Sequence, residues 1–536
     1  MISVSHGWKT AQKQTLLPEM FVEITYTITE PGLQVEAVAS ANYPENFSDV
    51  KQITKISDKK DGAYASLDYG YWGLDGSFSY YDGTSIVPGY VDRNYSTADG
   101  TLGISPYPKI TIDFEKRHDA TIPGLMIYWG DGWAVDFTVT ATNANGIVAQ
   151  KNITGNTSTK STIWMDIAEY SQITIEIRKW SHPYQRVRCT EIQFGVENVY
   201  TKSDLLGYEH RQSADLLSAE LPKNEIIFKL RNDDDRWNPD NPTGFEKYLI
   251  EQQEMQVKYG MNVDGTVEWI KGGTFWLSEW NTPSNGLEAS FTARDVIGFM
   301  GGQYDGVREG TLYDVAMAAF DEAGLSALDS GSVRYIVDDS LKNFTVDFSD
   351  DGSSYTIAEI LQMVAHAGCC VFYQDREGAV RIEPRSTKYS GYLIEPKISY
   401  THPEYEISKP VKDILVEYGQ NRQTVSVEVS RRGETQTVNN SLISNAENAR
   451  RVGNAAKDVL QSRKTISGDF RADLRIDALD NIVVASKYAS NILGVTDVTY
   501  SSTGGAFRGK YSGRVISANL DSVAVYSNEF FAGEVW

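Results

Sequence analysis

Cysteine, histidine and positive charge are all scarce in this chain, and each shortage excludes something. Three cysteines among 536 residues cannot build a disulfide framework. Two of them are adjacent, in Cys369-Cys370-Val371-Phe372, a run that predicts the start of a buried strand in a chain folded under reducing conditions. The 50 Lys and Arg fall well short of the 72 Asp and Glu, leaving a formal charge of -22. Such a polyanion has no surplus cations with which to displace counterions from phosphates, so neither nucleic acid nor an anionic membrane surface is an expected partner. No apolar run approaches the roughly 18 residues of a membrane-spanning helix. The opening Met1-Ile2-Ser3-Val4-Ser5-His6-Gly7-Trp8-Lys9 lacks the basic-then-apolar order of a signal peptide. Sequons such as Asn152-Ile153-Thr154 then read as chance matches, and the chain as one made in a cytoplasm.

Catalytic signatures are missing too. There is no Gly-x-x-x-x-Gly-Lys-Ser/Thr loop, no His-Glu-x-x-His, no Gly-x-Ser-x-Gly and no Cys-x-x-Cys. The six histidines, at 6, 118, 182, 210, 366 and 402, are scattered without metal-ligand spacing. His366 closes a predicted helix beside Gly368, where a cation would complement the helix dipole. The loop Asn232 to Asp240 is rich in oxygen ligands, yet Arg236 stands at the third position from Asp234, where a calcium loop wants another oxygen. Asp and Asn side chains capping their own turns are the reading preferred there. With 72 acidic residues, no particular carboxylate pair stands out for glycoside hydrolysis. The expectation is a non-enzyme with no cofactor and no catalytic or metal-binding residues.

What the chain does have is β-forming sequence, with 31 tyrosines, 44 glycines and recurrent Thr, Val and Ile. Met20 to Ile28 alternates apolar and polar residues, as a half-buried strand does. Residues 60–92 crowd Tyr64, Tyr69, Tyr71, Trp72, Phe78, Tyr80 and Tyr81 between Asp-Gly turns and predict an ordered connector. Evenly spaced strands then follow to residue 197: Lys109 to Phe114, Val135 to Ala141, Ile147 to Lys151, Gln172 to Ile177 and Arg188 to Phe194. That pattern predicts an antiparallel sandwich. Further strands lie at Glu225 to Leu230, Met255 to Tyr259, Gly273 to Glu279 and Leu287 to Ala293.

Helices are predicted only after residue 300. Thr311 with Asp314, and Thr356 with Glu359, form capping boxes ahead of apolar faces, and Gly324 and Gly368 mark the stops. A hairpin, Cys369 to Gln374 and Ala379 to Glu383, turns at Arg376-Glu377-Gly378, and a third helix runs from about Ala446 to Arg463.

Two loops of the sandwich carry the only suggestive chemistry. Sugars present apolar C–H faces rimmed by hydroxyls, which suits an exposed aromatic ring beside hydrogen-bonding side chains. Trp129-Gly130-Asp131-Gly132-Trp133 and Lys179-Trp180-Ser181-His182-Pro183-Tyr184-Gln185-Arg186 qualify, making Trp129, Trp133, Trp180 and Tyr184 the carbohydrate-binding candidates. The competing reading is that these rings plug the ends of the sandwich.

Several stretches together resemble the hub protein of tail tips in tailed phages of Gram-positive hosts. They are Leu216 to Glu225, Asn238-Pro239-Asp240-Asn241-Pro242-Thr243-Gly244, Gly272 to Leu277, Phe291-Thr292-Ala293-Arg294-Asp295 and Gly310 to Asp314. Ala65 to Asp68 with Trp72 to Phe78 adds to them, and the insert, through Thr138 to Ala141 and Ile177 to Ser181, resembles galactose-binding-like sandwiches. The resemblance implies a mainly β fold with α+β parts, in which two barrel-like domains and α+β domains are interrupted by an antiparallel jelly-roll sandwich. The corresponding division is an N-terminal hub segment with connector at 1–94, the sandwich at 95–200, a hub β-barrel at 201–305, an α+β domain at 306–400 and a C-terminal barrel or α+β domain at 401–536. It further implies a homotrimer closing the tail tube at the virion tip, next to the distal tail ring, tube and tape measure proteins, with host cell-wall polysaccharide as a possible ligand. The alternatives are a carbohydrate-binding adhesion module and a cell-wall glycoside-active enzyme. Lytic modules often extend such hubs, and none is expected before Trp536.

Overall fold

The strand Met20–Ile28 buries every second side chain and lies next to the edge strand Val196–Tyr200 of the largest sheet. The structure, a computed structural model, describes residues 1–14, 16, 18–55, 68, 87–282, 286–325, 334–486, 489–503 and 506–516. Most of the aromatic connector, with Ala65 to Leu67 and Trp72 to Phe78, lies outside the described residues. The protein is mainly β, built from several antiparallel sheets, as the sequence predicts.

One sheet of 13 strands carries the principal core. Its path runs through Val196–Tyr200, Met20–Ile28, the long hairpin Glu254–Val263 and Thr266–Asn281, then Glu288–Arg294, Lys223–Arg231 and Leu205–Ser213. There it crosses to the C-terminal part of the chain: Ser490–Thr503, Ala506–Val515, Lys464–Arg471 and Glu404–Ile407. The crossing is an antiparallel pairing of Leu205–Ser213 with Ser490–Thr503, from Tyr208 opposite Ser502 to Ser213 opposite Asp497. Two β units expected as separate barrels therefore share one open path, and no barrel closes among the described residues. The N-terminal helix His6–Gln12 buries Trp8 in the same core, and Gln12 donates to the Ala472 carbonyl at 2.9 Å.

The sandwich consists of a five-stranded sheet, in the order Val38–Ala41, Lys109–His118, Tyr170–Trp180, Ala134–Asn143, Gly146–Ile153, and a three-stranded sheet, Lys160–Ile167, Ile122–Tyr128, Glu191–Phe194. Both sheets contribute to one core, which also recruits Leu33, Val50 and Ile53 from the segment ahead. Gly195 returns the chain from the sandwich to the large sheet at φ +91°, and a Cβ there would stand 2.1 Å from the Ile28 carbonyl oxygen. Only glycine tolerates both that backbone angle and that approach.

The sandwich is docked, not tethered. Trp164 stacks on Phe245 of the large-sheet unit with centroids 5.7 Å apart and planes 16° off parallel. Asp166 accepts from Lys247 Nζ at 2.7 Å and from the Tyr248 hydroxyl. His118 places Nδ1 2.9 Å from Glu30 and Nε2 3.2 Å from Glu36, pinning the entering segment to the sandwich.

The helices build a separate core. Leu312–Glu322 and Ile357–Ala367 pack together, each opened by the complete capping box its sequence predicts. The hairpin Cys370–Gln374 and Val380–Pro384 lies beneath them. The third helix, Ala446–Leu460, covers the sheet Gln423–Glu428, Val411–Tyr418, Glu434–Val438 and adds Ala449, Val452 and Ala456 to the same core. His366 differs from its expected role: burial pushes its pKa down, so the imidazole at that helix end favours the neutral form, with Asp215 only partly opposing.

Candidate functional site

The first loop end to consider is the one carrying the four candidate aromatics. Trp129 is fully buried, donates through Nε1 to Ser161 Oγ at 2.8 Å, and meets Phe137 and Trp180 edge-on at 5.2 and 6.3 Å. Trp180 is equally buried, and Gly132 packs so tightly against its ring that a Cβ would come within 2.5 Å. Neither ring offers a face to a sugar. Both are core residues that close the end of the sandwich.

Trp133 and Tyr184 are placed differently. Trp133 is half-buried, its backbone exchanging hydrogen bonds with Ser181: Trp133 N donates to Ser181 Oγ at 3.0 Å, and Ser181 N donates to the Trp133 carbonyl at 2.9 Å. His182 stands edge-on to the Trp133 ring at 5.5 Å, with Nδ1 2.7 Å from Ser181 Oγ. Tyr184 is 52% exposed, on backbone of positive φ. The two loops thus bring together a partly open indole, an imidazole and a hydroxyl. His182 was legible as a member of the second candidate loop, but its place beside Trp133 was not, because that depends on the pairing of strands distant in sequence.

The second place is the seam where the two parts of the large sheet meet the helical unit. The Tyr208 and Tyr259 hydroxyls share a hydrogen bond at 2.7 Å, and the Tyr259 hydroxyl lies 2.6 Å from His210 Nδ1. His210 Nε2 lies 2.8 Å from Asn224 Oδ1. Arg376, in the hairpin turn of the helical unit, reaches into the seam. It donates to Asp477 Oδ1 through Nε at 2.9 Å and Nη2 at 2.8 Å, and to the Lys271 carbonyl at 2.9 Å. Gln212 donates to the same Asp477 oxygen at 2.9 Å and accepts from Ala478 N at 3.0 Å. Burial pushes the His210 pKa down to about 4, with the Arg376 cation adding to the effect. For Asp477, burial opposes ionisation, but the Arg376 charge and hydrogen bonds outweigh it and hold the carboxyl below its ordinary range.

The stretches that resemble tail hubs lie along these joints. Ser218 Oγ accepts from Phe372 N at 3.0 Å, tying the large sheet to the helical unit. The Asn232 to Asp240 loop is a chain of self-capped turns: Asn232 Oδ1 accepts from Trp237 N at 2.9 Å, and Arg236 pairs with Asp234. Its product is Trp237, buried between Tyr200, Phe245 and Phe291. Asp295 marks the crossing from the large sheet to the helical unit, where Oδ1 accepts from Gly298 N at 3.2 Å and Oδ2 has no partner among the described residues. Burial raises its pKa to about 7. Among the described residues, no group of three metal-ligating side chains occurs, and no helix is long and apolar enough to cross a membrane.

No protein-family model and no curated protein matches the chain. Solved structures do. The 43 kDa tail protein of prophage MuSo2 from Shewanella oneidensis is 13% identical over 59% of this chain and 94% of its own, with a TM-score of 0.39. A tail protein from Neisseria meningitidis MC58 is 9% identical over 60% and 94%, with a TM-score of 0.43. Prophage tail protein gp18 from Listeria monocytogenes EGD-e is 10% identical over 63% and 97%, with a TM-score of 0.39. These scores are too low for a shared fold to follow from them.

Proposed function

We propose that this chain is a structural subunit of a phage or phage-like tail tip, a hub that closes the tail tube as a trimer. One observation supports the reading: of the stretches resembling tail hubs, those between Leu216 and Asp314 contribute residues to the large-sheet core and to its junction with the helical unit. They supply Ser218 to the helical unit, Trp237 to the core and Asp295 to the crossing. Such contacts between units suit a part that must hold a ring closed under load. The natural neighbours are the distal tail ring, the tube and tape measure proteins, and the place is the tip of the virion. The role is mechanical, with no reaction assigned to it. Native mass spectrometry tests the reading: the purified protein should associate as a trimer, and a monomer at every concentration would overturn it.

A second role, compatible with the first, is contact between the sandwich and host surface polysaccharide. What favours it is the half-open Trp133 beside His182 and Ser181, with Tyr184 exposed on the neighbouring loop. On a glycan array, Trp133→Ala should abolish any binding the parent shows, and Tyr184→Ala should weaken it. An array on which the parent itself stays blank at millimolar glycan makes the sandwich architectural.

A further inference from the structure

We propose that His210 is an acid-sensitive latch on the seam: protonating its imidazole releases Leu205–Ser213 from Ser490–Thr503 and from the segment 472–480. This conclusion stands on the seam's own geometry and does not need the tail-tip reading.

His210 is fully buried, and both ring nitrogens are committed. Nδ1 hydrogen-bonds the Tyr259 hydroxyl at 2.6 Å, and that hydroxyl hydrogen-bonds Tyr208 at 2.7 Å. Nε2 lies 2.8 Å from Asn224 Oδ1 and 3.3 Å from the Gln212 Nε2 amide. In the imidazolium both nitrogens donate, so the ring no longer accepts, and the Tyr259 hydroxyl or the Gln212 amide faces a hydrogen in place of a lone pair. A donor left without an acceptor in a dry core is costly.

The charge is as awkward as the hydrogen. The guanidinium of Arg376 sits over the Tyr259 ring at 5.7 Å, already a cation in the same seam. Asp477 is the one carboxylate at hand, and it is occupied by Arg376 and Gln212. The remaining titratable or charged neighbours are Tyr208 on the same strand, Tyr259 on the hairpin, and Tyr500, whose ring lies 6.5 Å away and whose hydroxyl donates to the Asp473 and Ile476 carbonyls. Phe275 closes the remaining side at 5.3 Å. Asp477 offsets a new positive charge only in part, and burial and the Arg376 cation outweigh it.

The released form offers water instead, so acid favours it. With a pKa of about 4 in the closed seam and about 6.5 when exposed, the closed form binds fewer protons over that interval, and closure weakens as pH falls through it. The opening constant should rise about twentyfold between pH 7 and pH 5. Asp477, held below the ordinary carboxylate range, stays ionised across that interval and does not contribute.

Hydrogen–deuterium exchange on the whole protein, corrected for the intrinsic rate at each pH, reads this locally. Amides of Leu205–Ser213 and of 472–480 should lose protection about twentyfold from pH 7 to pH 5, while those of Ala134–Asn143 in the sandwich do not change. His210→Gln, which can donate to Asn224 and accept from Tyr259 without ever charging, should abolish the difference. Equal acid sensitivity in that variant, or protection at the seam independent of pH, overturns the latch. A second measurement covers the case of a misfolded variant: histidine carbon NMR of the unmodified protein should keep His210 in its neutral form at pH 5.5. A His210 signal that titrates near pH 6.5 contradicts the proposal.

Discussion

Replacing Arg376 with alanine should unlatch the helical unit from the large sheet. The side chain is only 8% exposed, and it makes two hydrogen bonds to one Asp477 oxygen and one to the Lys271 carbonyl. Removing one partner of a buried ion pair costs about 3–5 kcal/mol, because the other charge is left without compensation. Asp477 keeps the Gln212 hydrogen bond and is itself 27% exposed, so some water reaches it and the lower end, about 3 kcal/mol, applies. Asp477→Asn retains an acceptor for the guanidinium and should cost less, about 1.5–3 kcal/mol. If the two side chains act on each other, the double variant should be less destabilised than the sum of the singles, with a coupling above about 1 kcal/mol. Urea unfolding followed by exchange at the amides of 370–384 and 472–480 resolves the local loss in a chain with several cores. A cost under about 1 kcal/mol for Arg376→Ala, with additive singles, refutes the argument that this pair joins the units.

Two other consequences can be measured. The Asp295 carboxyl, raised from its ordinary range to about 7, makes the folded state bind more protons than the unfolded one between about pH 4 and 7. Its contribution to stability is full below about pH 4 and is lost as pH rises to about 7, a difference of up to about 4 kcal/mol. Asp295→Asn should therefore raise the melting temperature at pH 8 and remove that slope; an unchanged slope contradicts it. The effect opposes that of His210 on global stability, so the two variants need separate pH series. Trp164→Ala should weaken the docking of the sandwich by about 1–2 kcal/mol through loss of the Phe245 stack, seen as faster proteolysis between residues 160 and 250. Unchanged proteolysis would show that the Asp166 contacts suffice.

Local signals made much of the fold legible. The alternation over Met20–Ile28 gave a strand with those bounds, and both capping boxes formed with their reciprocal hydrogen bonds. Each of these rests on residues within one or two turns of each other. The shared sheet was not legible, because the pairing of Leu205–Ser213 with Ser490–Thr503 joins segments almost 300 residues apart, and neither strand's alternation names its partner. The aromatic candidates divided for a similar reason. Trp129 and Trp133 stand four residues apart on one turn, yet one enters the core and the other stays half-open, a difference set by Phe137 and Trp180 rather than by the turn itself. The seam escaped notice because Tyr208, His210, Tyr259, Arg376 and Asp477 form no motif in sequence.

Cryo-electron microscopy of the assembled particle tests the central claim most directly. The account predicts three copies of this chain around the tail axis at the tip, with the two parts of the large sheet from each copy contributing to the ring. A particle with no density for the chain at its tip, or one copy lying off the axis, would contradict it.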